Sequence, residues 1–417
     1  MVGLVFGMVF LSTLQRRGMD GLKEPFVGWS NEVSQPLSLF LIVLMLQFVH
    51  SGLRYGNFII SLIGLLSYLA PFLAIVVGYF LVSSERNIRT VMLQYILVGA
   101  LLSLTVIMSF SGVDHQIFKE VGAGLKIYDQ GTVLRSFSGF MRTGEIAAWH
   151  IATSCCFIVV LFFTSAKKPP AVLIVVLLIF MTTAIALTGR RKMLMLITVF
   201  VFVYGLGFSY YRRRLNFNYV FSAAMVIFAL WGTAQFLSDG DDDLRNYVAR
   251  STSVYGSATS RAVELGIQPI GWAYNRVGLL GGGLGIASQG SHIFNVSKIA
   301  GGSGEGGLGK IMVELGLPGL LTVIWLVIAL AKYINKSLQL SAQPFVPQHV
   351  MPLMLGIACL LLVNVMTFAV ATQVYGDTFI LIMIGLLAGF LFALPRLVIR
   401  AIEDSANHSL ASGAFAK

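Results

Sequence analysis

The sequence predicts an all-α polytopic membrane protein with about 10-11 transmembrane helices and one long extracytoplasmic loop. Three observations carry that prediction. Hydrophobic residues make up 57% of the 417 and charged residues only 11%, with a mean hydropathy of +0.83; in soluble domains charge is about a quarter of the chain. Apolar runs of about 20 residues recur along the chain, the length that a bilayer core of about 30 Å requires. A single polar, glycine-rich stretch, Phe236 to Leu320, interrupts them and opens on the acidic cluster Asp239, Asp241, Asp242 and Asp243.

In order, the apolar runs are 36–53, 57–83, 88–110, 145–165, 171–188, 192–209, 217–236, 309–333, 348–371 and 377–396. Met1–Leu14 is apolar but short, either a weak first span or the remnant of one. It has neither the basic start nor the small-residue cleavage pattern of a signal peptide. The tail after Ile402 is short and polar and is read as disordered. Cys155, Cys156 and Cys359 all fall in apolar runs and read as small packing residues, and no Cys/His spacing suggests a structural metal.

Basic loops set the orientation. Arg86 and Arg89, Lys167 and Lys168, Arg212 to Arg214, Lys332 and Lys336, and Arg396 and Arg400 fall on alternate connections and are assigned to the cytoplasm. The segment Gln15–Gln35 joins them. By alternation, 111–144, 189–191, 237–308 and 372–376 face outward. The division by segment is an N-terminal bundle (1–236), the extracytoplasmic loop (237–308), C-terminal helices (309–396) and a cytoplasmic tail (397–417). A net charge of +11 would point to nucleic acid in a soluble protein. Here the positive-inside rule absorbs part of it.

The remainder lies on the outward side. Arg190, Arg191 and Lys192 sit in a short turn at the membrane boundary, where the rule disfavours them, and read as binding an anion near the headgroups, with simple snorkelling to the interface as the alternative. Arg135 and Arg142 precede the run at 145, while Arg245, Arg250, Arg261 and Arg276 follow in the long loop. Guanidinium groups match phosphate oxygens in bidentate geometry and stay charged. The alternative for each is a local acid such as Asp129, Glu145 or the Asp239–Asp243 cluster.

Two residues in the long loop are candidate bases. Glu305 stands among Gly301, Gly302, Gly304, Gly306 and Gly307 just before a helix, where it reads equally as an ordinary capping acid. His292 is the loop's histidine, and reads either as a base or as a surface or packing residue. Glu314, inside the entering helix, would be costly there without a partner and reads as a structural anchor or as a support for the residues of the site. Gly281-Gly282-Gly283-Leu284-Gly285 lacks both the strand and the lysine-serine ending of a nucleotide-binding loop.

Leu187-Thr188-Gly189-Arg190-Arg191-Lys192-Met193-Leu194 resembles the boundary motif of the O-antigen polymerase and ligase superfamily. Ser260-Arg261-Ala262-Val263-Glu264 followed by Pro269-Ile270-Gly271 is similar to that family's arginine-bearing loop helix, and Glu314-Leu315-Gly316-Leu317-Pro318-Gly319-Leu320 to its entry into the next span. Arg135-Ser136-Phe137-Ser138-Gly139-Phe140 resembles its arginine-glycine stretch. The resemblance covers roughly 130–330.

It implies a GT-C-like bundle with short helices in the long loop, and a membrane glycosyltransferase at the outer face of the bacterial inner membrane. Such an enzyme moves glycan from an undecaprenyl-pyrophosphate-linked donor to an acceptor hydroxyl, without metal or other cofactor. Arg190 or Arg191 takes the boundary-arginine role and Arg261 the loop-arginine role, with Arg135, Arg142 and Arg276 as further pyrophosphate ligands. The chain-length regulator and flippase of such systems, and membrane lipid, are the implied partners; nucleic acid is not. The family's loop histidine falls here at Glu305, so either a glutamate replaces it or an insertion has moved it to His292. That departure favours a polysaccharide polymerase over an O-antigen ligase acting on lipid A core. A lipid-linked oligosaccharide transporter would concentrate charge near the midplane and show repeated halves, and an inactive assembly partner would need no particular residue.

Overall fold

The structure, a computed structural model, describes residues 2–18, 20–27, 31–82, 84–113, 115–118, 126–129, 132–165, 170–212, 225–233, 235, 242–256, 260, 262–288, 306–343, 346 and 350–414. Helices dominate these residues. In chain order they are α1 (Val2–Arg17), α2 (Asp20–Val27), α3 (Asn31–Tyr55), α4 (Phe58–Leu81), α5 (Glu85–Phe110), α6 (Gly144–Thr164), α7 (Ala171–Leu187), α8 (Arg191–Arg212), α9 (Asp242–Gly256), α10 (Gln268–Val277), α11 (Gly307–Ser341), α12 (Val350–Val370) and α13 (Thr378–Ala414). Among the described residues, eight helices are long and apolar enough to cross a membrane: α3, α4, α5, α6, α8, α11, α12 and the first part of α13. The chain is thus all-α and multi-pass in character.

Three differences from the sequence reading stand out. The run at 171–188 forms α7, apolar but 17 residues long and so shorter than those eight. The connection 111–144 carries an antiparallel hairpin, β1 (Lys126–Asp129) and β2 (Thr132–Arg135), in which Ile127 faces Leu134. Both are buried while Val133 is exposed, the period-two alternation of a half-buried ribbon. The tail read as disordered continues α13 to Ala414. Ala401, Glu403, Ala406, Leu410 and Ala411 are good helix formers, and no proline follows Pro395 to stop them. Of the run at 217–236, residues 225–233 are helical and 217–224 lie outside the described residues.

The chain forms two units, each assembled from separated segments. The first comprises Met1–Val82, Thr259–Leu340 and Val365–Pro395; the second comprises Ser83–Ala258, Ser341–Asn364 and Arg396–Lys417. At the centre of the second unit lies α6, which is buried along nearly its whole length. Its Ala147, Ala148, Ala152, Ser154, Cys155 and Cys156 are small, so α5, α7 and α8 can approach closely. A Cβ on Gly99 would stand 2.2 Å from the Ser154 hydroxyl, which shows how near α5 comes. Two polar pairs cross this core: Trp149 Nε1 donates to Asn364 Oδ1 at 2.8 Å, and the Tyr95 hydroxyl bonds the His150 ring. The three cysteines are free and buried, as packing residues should be.

In the first unit α3 and α4 pair lengthwise, and the polar stretch 278–288 folds against their ends and against α11. That stretch is irregular backbone among apolar helices, tolerable only if its polar groups are satisfied by protein. Gln47, Ser51 and Tyr55, spaced one turn apart on α3, donate to the carbonyls of Leu280, Leu284 and Gly282 at 2.6, 2.8 and 3.0 Å. Gly281, Gly283 and Gly285 have φ of +79°, +103° and +84°, which only glycine adopts without strain.

Candidate functional site

Helix α7 ends at Leu187 with Thr188 as its cap, and α8 begins at Arg191, so the boundary turn is Gly189-Arg190. Gly189 has φ +68°, the left-handed conformation that ends helices and favours glycine. Thr188 Oγ1 accepts from the Arg190 backbone N–H at 3.2 Å, and the Ser136 hydroxyl donates to the Thr188 carbonyl at 2.9 Å. That second bond ties the chain after β2 to the turn. Ile127 of β1 packs on Gly189, where a Cβ would lie 2.6 Å from its terminal methyl.

One face of α9 closes over the same turn. Tyr247, Arg250 and Ser253 recur every three residues. The Tyr247 hydroxyl donates to the Arg135 carbonyl at 2.6 Å, and Arg250 Nε donates to the Gly189 carbonyl at 2.9 Å. Arg191, only 8% exposed, donates to the Ser253 hydroxyl. Arg190 forms an ion pair with Glu145 in the first turn of α6, 2.8 Å, with both side chains about one-fifth exposed. Three guanidinium groups are thereby gathered on one turn. Arg135 and Arg142 are exposed on the chain leading into α6 beside it, Arg135 lying over the Phe137 ring at 5.2 Å.

The local-acid alternative therefore applies to Arg190, whose partner is Glu145. Arg250 stood out only as one of the long-loop arginines and Tyr247 not at all; the signal for both is the three-residue spacing with Ser253, visible once 242–256 is known to be helical. Arg276 belongs to the first unit, exposed on α10 with its guanidinium 5.7 Å from the Trp272 ring. Arg261, His292 and Glu305 lie outside the described residues.

In the first unit the buried polar centre is Glu314, with no exposed surface. Its Oε2 accepts from the Tyr68 hydroxyl at 2.8 Å and its Oε1 from the Ala287 backbone N–H at 3.1 Å. These are the partners that an acid inside an apolar helix requires. Two residues further, Gly316 (φ +68°) breaks α11. In an unbroken helix Leu317 N–H would donate to Val313 O. Here Leu317 N–H donates to Leu279 O at 2.8 Å and Val313 O accepts from Gly282 N–H at 2.7 Å, so the groups freed by the break are both taken by the glycine stretch.

Among the described residues no three His, Cys, Asp or Glu side chains are grouped to hold a metal ion. No family model matches the chain, and no curated protein matches it.

Proposed function

We propose that the protein is a membrane glycosyltransferase of the bacterial inner membrane, a polymerase that lengthens polysaccharide at the outer face. The observation that carries this reading is the arginine-rich turn. Arg190, Arg191 and Arg250 meet on Gly189-Arg190, with Arg135 and Arg142 beside them. Glu145 takes up one of these charges; guanidinium groups match phosphate oxygens in bidentate geometry, and the pyrophosphate of a lipid-linked glycan is the anion of that chemistry found at a membrane boundary.

In the reaction, an acceptor sugar hydroxyl attacks the anomeric carbon of the donor glycan. The bond from that carbon to the pyrophosphate oxygen breaks, undecaprenyl pyrophosphate leaves, and Glu305 or His292 takes the hydroxyl proton. The arginines hold the leaving group where its negative charge develops, the placement that accelerates such steps most. The resemblance assigns Arg261 and Arg276 to the pyrophosphate as well, and implies a GT-C-like bundle as the frame.

The test uses cells lacking the protein, complemented with wild type, Arg190→Ala, Arg261→Ala, Glu305→Ala or His292→Ala at matched protein levels. Polymer length is read on gels. Loss of Arg190 or Arg261 is expected to slow elongation on the order of 100-fold, with single repeat units accumulating on lipid. Loss of only one of Glu305 and His292 is expected to do the same, identifying the base. Long chains that form on lipid but never reach lipid A core would instead indicate a ligase. Lipid-linked glycan held on the cytoplasmic side would indicate a transporter, and full-length polymer from every variant would sink the assignment.

A further inference from the structure

Lys310 lies in the first turn of α11, four residues before Glu314 and on the same helical face. It is 8% exposed. Its ammonium lies over the Tyr68 ring, 5.9 Å from the centroid. Among the described residues it makes no hydrogen bond or ion pair: the Glu314 oxygens are held by Tyr68 and Ala287 instead. A ring face stabilises a cation by about 1–2 kcal/mol but satisfies none of the three ammonium N–H donors, and buried charges are as a rule paired.

The backbone around it adds to the demand. The helical ladder of α11 starts with Lys310 N–H donating to Gly306 O at 3.1 Å, so the N–H groups before it have no helical acceptor. Gly306, Gly307 and Gly309 carry no side chain to cap them. Their open faces are filled by Leu265, Phe368 and Pro269, as a Cβ there would stand 1.7, 2.4 and 2.5 Å from those residues.

We propose that Lys310 is the centre of an oxyanion site built wholly within the first unit, and that its ligand is a phosphate group. A phosphate presents oxygens in several directions, so one meets the ammonium while another meets the first-turn N–H groups, where the helix dipole also favours negative charge. None of its residues belongs to the arginine turn, and the site stands whether or not that turn binds pyrophosphate.

Calorimetric titration of the full chain in zwitterionic nanodiscs tests this, with farnesyl diphosphate, inorganic pyrophosphate and farnesol as probes. Lys310→Met is expected to weaken farnesyl diphosphate binding about tenfold or more, as loss of a charge-assisted hydrogen bond implies, while Lys310→Arg retains it. Lys310→Gln replaces Lys310→Met if the latter does not fold, as read by size exclusion. A Lys310-dependent affinity for farnesyl diphosphate alone identifies a lipid-borne phosphate, and an equal one for pyrophosphate a free anion. Unchanged affinity in both neutral variants, equal binding of farnesol, or no diphosphate binding by wild type overturns the site. Arg190→Gln, titrated in parallel, separates the two ideas. Weakening there but not at Lys310 leaves the proposed function standing and removes this site; the reverse does the opposite.

Discussion

Glu314→Ala is expected to destabilise the first unit by on the order of 3 kcal/mol, read as a lower thermal midpoint in detergent. The substitution leaves two half-buried donors, the Tyr68 hydroxyl and the Ala287 N–H, without their acceptor, and each such orphan costs about 1–3 kcal/mol. Glu314→Gln is expected to lose much less. Its carbonyl oxygen can still accept from Ala287, and its amide can donate to the Tyr68 oxygen. A double-mutant cycle with Tyr68→Phe isolates the side-chain term: removing the stranded hydroxyl should recover part of the loss, with a coupling of about 1 kcal/mol or more. If Glu314→Ala melts with wild type, or the two substitutions simply add, the carboxyl group is not the clasp described here.

An equal or larger loss is expected from Gly285→Ala. A methyl there would sit 2.1 Å from the Ile60 carbonyl oxygen, and the residue would have to hold φ at +84°. The left-handed backbone costs about 1–2 kcal/mol for a non-glycine residue, and forcing a side chain into packed surroundings costs about 1–3 kcal/mol more. Gly271→Ala is the control. That glycine is exposed, has ordinary φ, and a Cβ would meet nothing within 4 Å, so its midpoint should stay at or slightly above wild type, since α10 is helical there. Equal midpoints for the two variants would show that the 278–288 stretch does not pack as described.

Both predictions rest on the part of the fold least legible in the sequence. The long helices were plain because a bilayer leaves few alternatives for apolar runs of that length. Arg190 and Arg191 were legible for the same reason, as charge in a short turn between two apolar runs. The glycine stretch was not. Its composition excluded a nucleotide loop but could not say what it binds, because the residues that hold it, Gln47 and Ser51, lie 233 positions earlier and look like ordinary polar interruptions of a span. Glu314 was readable as an anchor from the cost of burying an acid, yet nothing local named Tyr68. Glu145 was among the acids named for the arginines, and it is Arg190 that takes it. The hairpin went unseen because Ile127 and Leu134 are two buried residues in a polar connection, too short a pattern to separate from loop.

The exchange of bonds at Gly316 also bears on the order in which the protein can be made. Helices α3 and α4 emerge from the ribosome early, carrying Gln47 and Ser51 whose acceptors belong to Leu280 and Leu284. All of Ser83–Ala258 is synthesised in between, and that segment supplies most of another unit. The later segment of the chain therefore has to be translated before the early hairpin can be finished, and it can be finished only by inserting 278–288 and α11 together, because each supplies the hydrogen-bond partners the other lacks. Contacts this distant are slow to form, so the nascent first unit waits in the membrane with polar groups unmet.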